Sequence, residues 1–73
     1  MKLFTGIGCM PCKQVKEWLA AHNIEVENII AADNLELATS LGVKRLPTLV
    51  LDDNTTIAGP EDIIEYFEGG EDE

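Results

Sequence analysis

Cys9 and Cys12 are the only thiols of this chain, and they stand three positions apart with Met10 and Pro11 between them. That spacing removes one means of holding a small domain together. A bridge across it closes so short a loop that it stabilises by about 2 kcal/mol at best, before strain is subtracted. With 73 residues there is no room for a second core, and a chain this size buries only about 60% of its unfolded surface. One apolar core must therefore hold every element, and the cysteine pair is better explained by reactivity. Hydrophobic residues make up 45% of the chain, enough for that core and more than disorder tolerates.

The formal charge of −9, from 14 acidic and 5 basic residues, argues against a nucleic-acid partner, which needs clustered Lys and Arg. Solubility accounts for the excess. The opening "MKLFTGIGCMPC" lacks a sustained apolar stretch before a cleavage site, and no run approaches the ~20 apolar residues of a membrane span. These features lead to the expectation of a soluble, cytoplasmic monomer with no membrane partner. Small secreted domains use several disulfides, and this chain cannot. One domain over residues 1–73 is expected, with 69–73 as a frayed acidic tail.

"KLFT" reads as a strand and "GIG" as a loop. From Cys9 or Met10 to about His22 the period is helical, with Cys12, Val15, Leu19 and His22 on one stripe and Trp18 widening it. Pro11 suits the first turn, where a missing N–H costs nothing. "IEVENII" alternates as a half-buried strand does. "DNLELATSLG" predicts a helix capped by Asp33, with Glu36 at the capping-box position and Gly42 as the stop. "PTLVLDD" and "DNTTIAG" predict a hairpin turning at Asp52–Asn54. "PEDIIEYFEGG" predicts a last helix with Pro60 at its first position and Ile63, Ile64 and Phe67 inward. The class is α/β, in the order β-α-β-α-β-β-α. A mixed sheet of four strands flanked by three helices follows, with helix-joined strands parallel and the hairpin antiparallel.

A cysteine where a helix begins meets free backbone N–H groups and the positive end of the helix dipole, both of which favour thiolate. In C-x-x-C motifs such a thiol falls from ~8.5 into the range ~3.5–7.5. Cys12 lies one turn on, on the same face and turned toward the core. Cys9 is thus the expected nucleophile and Cys12 the resolving thiol in two-step disulfide exchange. Zinc also uses C-x-x-C, but a structural site needs four ligands, and the chain adds only His22 to its two thiols. No metal is expected.

A second signal is "KRLPTLVL", where Pro47 opens a strand that would otherwise read as central. Together these residues resemble the thioredoxin/glutaredoxin superfamily in its shortest, glutaredoxin-like form, over residues 1 to 69. "LFTGIGCMPCKQVKEWL" is similar to the family's first strand, active-site loop and first helix, "VKRLPTLVL" to its cis-proline loop, and "AGPEDIIEYF" to its last strand and helix. The resemblance implies a thioredoxin-like fold and a protein-disulfide reductase with a redox-active Cys9–Cys12 pair and no further cofactor. It implies that Met10, Pro11, Lys13 and a cis Pro47 support the site. Arg45, Leu46, Thr48, Gly59 and Asp62 are the substrate-binding positions it suggests.

Departures from the glutaredoxin pattern matter. Glutathione-using members carry Lys or Arg near the position of Gly6, and a T-V-P loop where this chain has Arg45-Leu46-Pro47-Thr48, which is more similar to thioredoxin's I-P-T. Their Gly-Gly-Asp pattern becomes Gly59-Pro60-Glu61-Asp62. Cys-Met-Pro-Cys shares its proline position with thioredoxin's motif. The expected partners are disulfide-containing proteins and a thioredoxin-reductase-type enzyme, with ribonucleotide reductase as one electron acceptor. Dependence on glutathione is the alternative. An iron–sulfur-bridged dimer and a non-catalytic binding module are the remaining rivals. Lys13, Lys16, Lys44 and Arg45 fall in or beside the two active-site segments, which predicts a local positive patch. Trp18, Phe4, Tyr66 and Phe67 read as packing, and His22 as a helix-end residue.

Overall fold

The computed structural model describes residues 1–69, so most of the tail expected at 69–73 lies outside the described residues. The elements are β1 (Lys2–Thr5), α1 (Met10–Ala21), β2 (Glu27–Ile30), a 3-10 turn (Ala31–Asp33), α2 (Leu35–Ser40), β3 (Thr48–Val50), β4 (Thr56–Ala58) and α3 (Pro60–Gly69). The α/β class and the order of elements are those expected. Among the described residues no helix is long and apolar enough to cross a membrane.

The sheet order is β2-β1-β3-β4, so β1 and β3 have neighbours on both sides. A strand in that position is apolar on both faces, and successive side chains of β1 point in opposite directions. Leu3 joins Val15, Leu19, Leu49 and Ile63 in a core under α1 and α3. Phe4 joins Ile29, Ala31, Ala38 and Val50 in a second core on the α2 side. Helices thus cover both faces of one small sheet.

Buried Cys12, Val15 and Leu19 form the inner stripe of α1. His22 leaves that stripe, because the helix ends on it and turns away. Asn23 takes a φ of 58°, and the amides of Asn23 and Ile24 bond to the carbonyls of Ala20 and Leu19 at 3.2 and 2.9 Å. This is a Schellman closure, with Asn in the left-handed position usually given to Gly. α2 ends the same way at Gly42, whose φ is 83°, with Val43 bonded to Ala38 at 2.8 Å.

Three local expectations are corrected. The cap of α2 is Asn34 rather than Asp33, and no side-chain capping bond forms. Asp33 is taken up by the 3-10 turn, which moves the helix start on by one residue, while Asn34 Nδ2 donates to the Ile30 carbonyl at 3.0 Å. β2 begins at Glu27 rather than Ile24; Ile24 and Val26 are half-buried against the core before strand pairing starts. In α3, Ile63 is fully buried and Phe67 packs half-buried, but Ile64 is only half-buried.

The larger correction concerns direction. β1 and β2 are parallel, with Phe4 opposite Ile29. β3, although joined to β2 through α2, runs antiparallel to β1, with Phe4 opposite Thr48. α2 has 6 residues and so rises only about 9 Å, less than the ~13 Å of a four-residue strand. It does not carry the chain back to the end where β2 began. The chain instead re-enters the sheet where β1 stops. β3 and β4 then pair antiparallel, Leu49 opposite Ile57, across a turn in which Asn54 donates to the Leu51 carbonyl at 2.9 Å.

Leu49 sits at the centre of this arrangement, fully buried between β1 and β4. Leu49→Ala is expected to lower stability by about 2–5 kcal/mol, read as a fall in the urea midpoint with the fold retained at low denaturant.

Candidate active site

The first turn of α1 places both cysteines. Cys9 is the N-cap, with extended backbone (φ −90°, ψ 109°) and no side-chain capping bond. Its carbonyl accepts from the Lys13 amide at 3.1 Å, which starts the helix. Gly8, at a φ of 75°, makes the turn into it. Met10 and Pro11 occupy the first two helical positions, both exposed, and the proline's missing N–H costs nothing there. A negative charge on Cys9 would meet the open amides of the helix start.

The two thiols differ in environment. Cys9 is half-exposed and Cys12 fully buried, and both are unbridged. Cys12 Sγ donates to Cys9 Sγ across 2.7 Å. Burial pushes the Cys12 thiol above the ordinary value of 9.0, and the hydrogen bond to Cys9 adds to that; the Gly6 amide and the Lys16 charge act in the opposite direction. One sulfur is thus presented to solvent and the other held back as a thiol.

Antiparallel entry of β3 brings the second segment to the same end of the sheet. The Leu46–Pro47 peptide is cis, and Pro47 is fully buried. The Thr48 hydroxyl donates to the Arg45 carbonyl, and the Gly59 amide donates to the Pro47 carbonyl at 2.9 Å. Both Thr48 and Gly59 are buried. These two residues, expected among substrate contacts, brace the proline loop from within. Arg45 and Leu46 are exposed beside it. A Cβ added to Gly6 would stand 3.0 Å from Leu46 Cδ1 and 3.8 Å from Cys9 Cβ, so Leu46 lies across Gly6 next to the first cysteine.

The two segments that carry the cysteines and Pro47 expose apolar and basic side chains. Ile7 is 87% exposed, Met10 67% and Leu46 37%. Lys13, Lys16, Lys44 and Arg45 are all exposed, and none of them is in an ion pair among the described residues. Asp62 is exposed on the first turn of α3 and likewise has no ion pair there. Sequence reasoning passed over Ile7, whose only signal is a large apolar residue between two glycines. His22 caps the far end of α1, roughly 20 Å from Cys9 by helical rise, stacked on Trp18 at 4.0 Å. Among the described residues no group of three or more His, Cys, Asp or Glu is gathered as metal ligands would be.

Compared with known families, residues 1–67 match the family model described as "Thioredoxin domain". No curated protein matches the chain.

The raised Cys12 thiol has a consequence for stability. Above pH 9.0 an unfolded thiol loses its proton while Cys12 keeps its own, so the unfolded state binds fewer protons and stability falls as pH rises. Denaturant titrations of the reduced protein across that range should show the decline, and Cys12→Ala should make it shallower.

Proposed function

This chain belongs to the thioredoxin-domain family, and on that premise we propose that it reduces protein disulfides by dithiol exchange. The observation that carries the reading is the pairing of a half-exposed thiol at a helix start with a buried thiol 2.7 Å behind it. Cys9, as thiolate, attacks one sulfur of a substrate disulfide; the other sulfur leaves with the bonding electron pair. Cys12 then attacks Cys9, the mixed disulfide breaks, and the second substrate thiol departs. Two electrons pass to the substrate, and the protein is left as its Cys9–Cys12 disulfide.

Leu46, exposed ahead of the buried Pro47, offers backbone groups to an extended substrate segment. Met10, Pro11 and Lys13 shape the rim of the nucleophile. Glycine at position 6, with Leu46 across it, provides no cation for a glutathione carboxylate. That favours recharging by a thioredoxin-reductase-type enzyme over the glutathione system. The reading includes a cytoplasmic monomer with no metal, acting on disulfide proteins, ribonucleotide reductase among them.

The wild-type protein is expected to accelerate insulin reduction by dithiothreitol, and Cys9→Ser to abolish the effect. Cys12→Ser should accumulate mixed disulfides with substrate. Equal activity of Cys9→Ser, or a Cys12→Ser protein that captures nothing, would overturn the assigned roles. Run side by side, NADPH with thioredoxin reductase should reduce the oxidised protein faster than glutathione does.

A further inference from the structure

Thr5, the last residue of β1, carries a hydroxyl that the exchange mechanism leaves unused. It is fully buried, and its Oγ1 has no hydrogen-bond partner among the described residues. A buried hydroxyl without a partner is costly to keep, and native folds hold few of them. A valine of the same shape would fill the space without that cost.

Its position follows from the register. Side chains alternate along β1, so Thr5 shares the face of Leu3, which packs against Val15 and Leu19 of α1. β1 runs toward the helix start and α1 runs away from it. Leu3 therefore lies under the second turn of α1, and Thr5 under the first, where Cys12 is the buried residue. The antiparallel pairing of Phe4 with Thr48 extends to set Pro47 across from Thr5 on the same face. The Gly6 amide, next in the chain after Thr5, favours negative charge on the Cys12 sulfur. The register thus sets Thr5 at the end of the sheet that carries the resolving thiol and the proline loop.

We infer that the Thr5 hydroxyl is the hydrogen-bond donor that stabilises the Cys12 thiolate in the resolving step. This rests on the dithiol-exchange reading above. In the dithiol, Cys12 donates to Cys9, and the Thr5 hydroxyl makes no hydrogen bond to either sulfur. Once Cys9 carries substrate, Cys12 must ionise inside the core to attack. Its proton passes to solvent, the Cys12–Cys9 bond forms, the Cys9–substrate bond breaks, and the substrate thiolate departs with the bonding electron pair. The Thr5 O–H, joined by the Gly6 N–H, faces the charge that appears meanwhile on Cys12. The charged or titratable groups that reach Cys12 are Cys9 and Lys16. The packed faces of β1, β3 and α3 contribute Leu3, Leu49 and Ile63, none of which titrates.

The test uses a chromogenic aromatic disulfide, which releases one coloured thiolate when Cys9 attacks and a second when Cys12 resolves. Thr5→Val should leave the first phase unchanged and slow the second roughly ten- to a hundredfold at neutral pH, the worth of one hydrogen bond to a charged group. Its pH profile should move alkaline and approach the wild-type rate where Cys12 ionises unaided. Thr5→Ser should restore the neutral-pH rate. The melting temperature of Thr5→Val should rise, by about 4–8 °C if the lost penalty is near the lower end of its range. A wild-type second phase in Thr5→Val overturns the inference, as does slowing by the same factor at every pH. Absence of a second phase in the wild type would instead sink the dithiol-exchange reading itself.

Discussion

The pairing of β1 with β3 in the antiparallel sense is the constraint on which the site depends. Were β3 parallel to β1, its first residue would lie at the opposite end of the sheet from Cys9. Because it is antiparallel, Pro47 arrives where β1 stops, and the turn into α1 begins from the same place. The reversal follows from the chain entering β3 at the end of the sheet where β1 and β2 both stop. Gly59 completes the assembly by donating to the Pro47 carbonyl while its own carbonyl accepts from Ile63 and starts α3. Three segments distant in sequence are held at one end of the sheet by backbone geometry, with side chains left to tune the chemistry.

That chemistry comes from unequal environments for two identical groups. Cys9 stands at the open amides of a helix start, and Cys12 is buried on the inner stripe of α1 with Val15 and Leu19. A fixed difference of one helical turn gives one sulfur access and the other protection. Burial keeps Cys12 protonated until it is needed, and the same burial makes its later ionisation costly. The hydroxyl of Thr5, without a partner among the described residues, lies buried at the end of β1 from which the chain turns into α1.

Much of this was legible in the sequence, for identifiable reasons. The α1 stripe could be read because Cys12, Val15 and Leu19 keep a helical period under one uniform core. The termini of α2 divide the lesson. Gly42 announces its left-handed turn, whereas Asp33 and Asn34 are both good caps, and only the 3-10 turn before them decides between the two. The direction of β3 was misread because the crossover rule sets the hand of a connection between parallel strands and does not require strands joined through a helix to be parallel. Thr48 and Gly59 were assigned to substrate because their position was visible and their burial was not. Thr5 gave no signal at all: a threonine in a strand is ordinary, and its interest lies in a partner that the surroundings fail to supply.

Gly6 and Leu46 are coupled. Any side chain at position 6 must displace the Leu46 methyl that now lies across it. Leu46 is itself 37% exposed, so its side chain has room to turn outward by the few tenths of an ångström required. What position 6 can carry is thus set by how far position 46 yields.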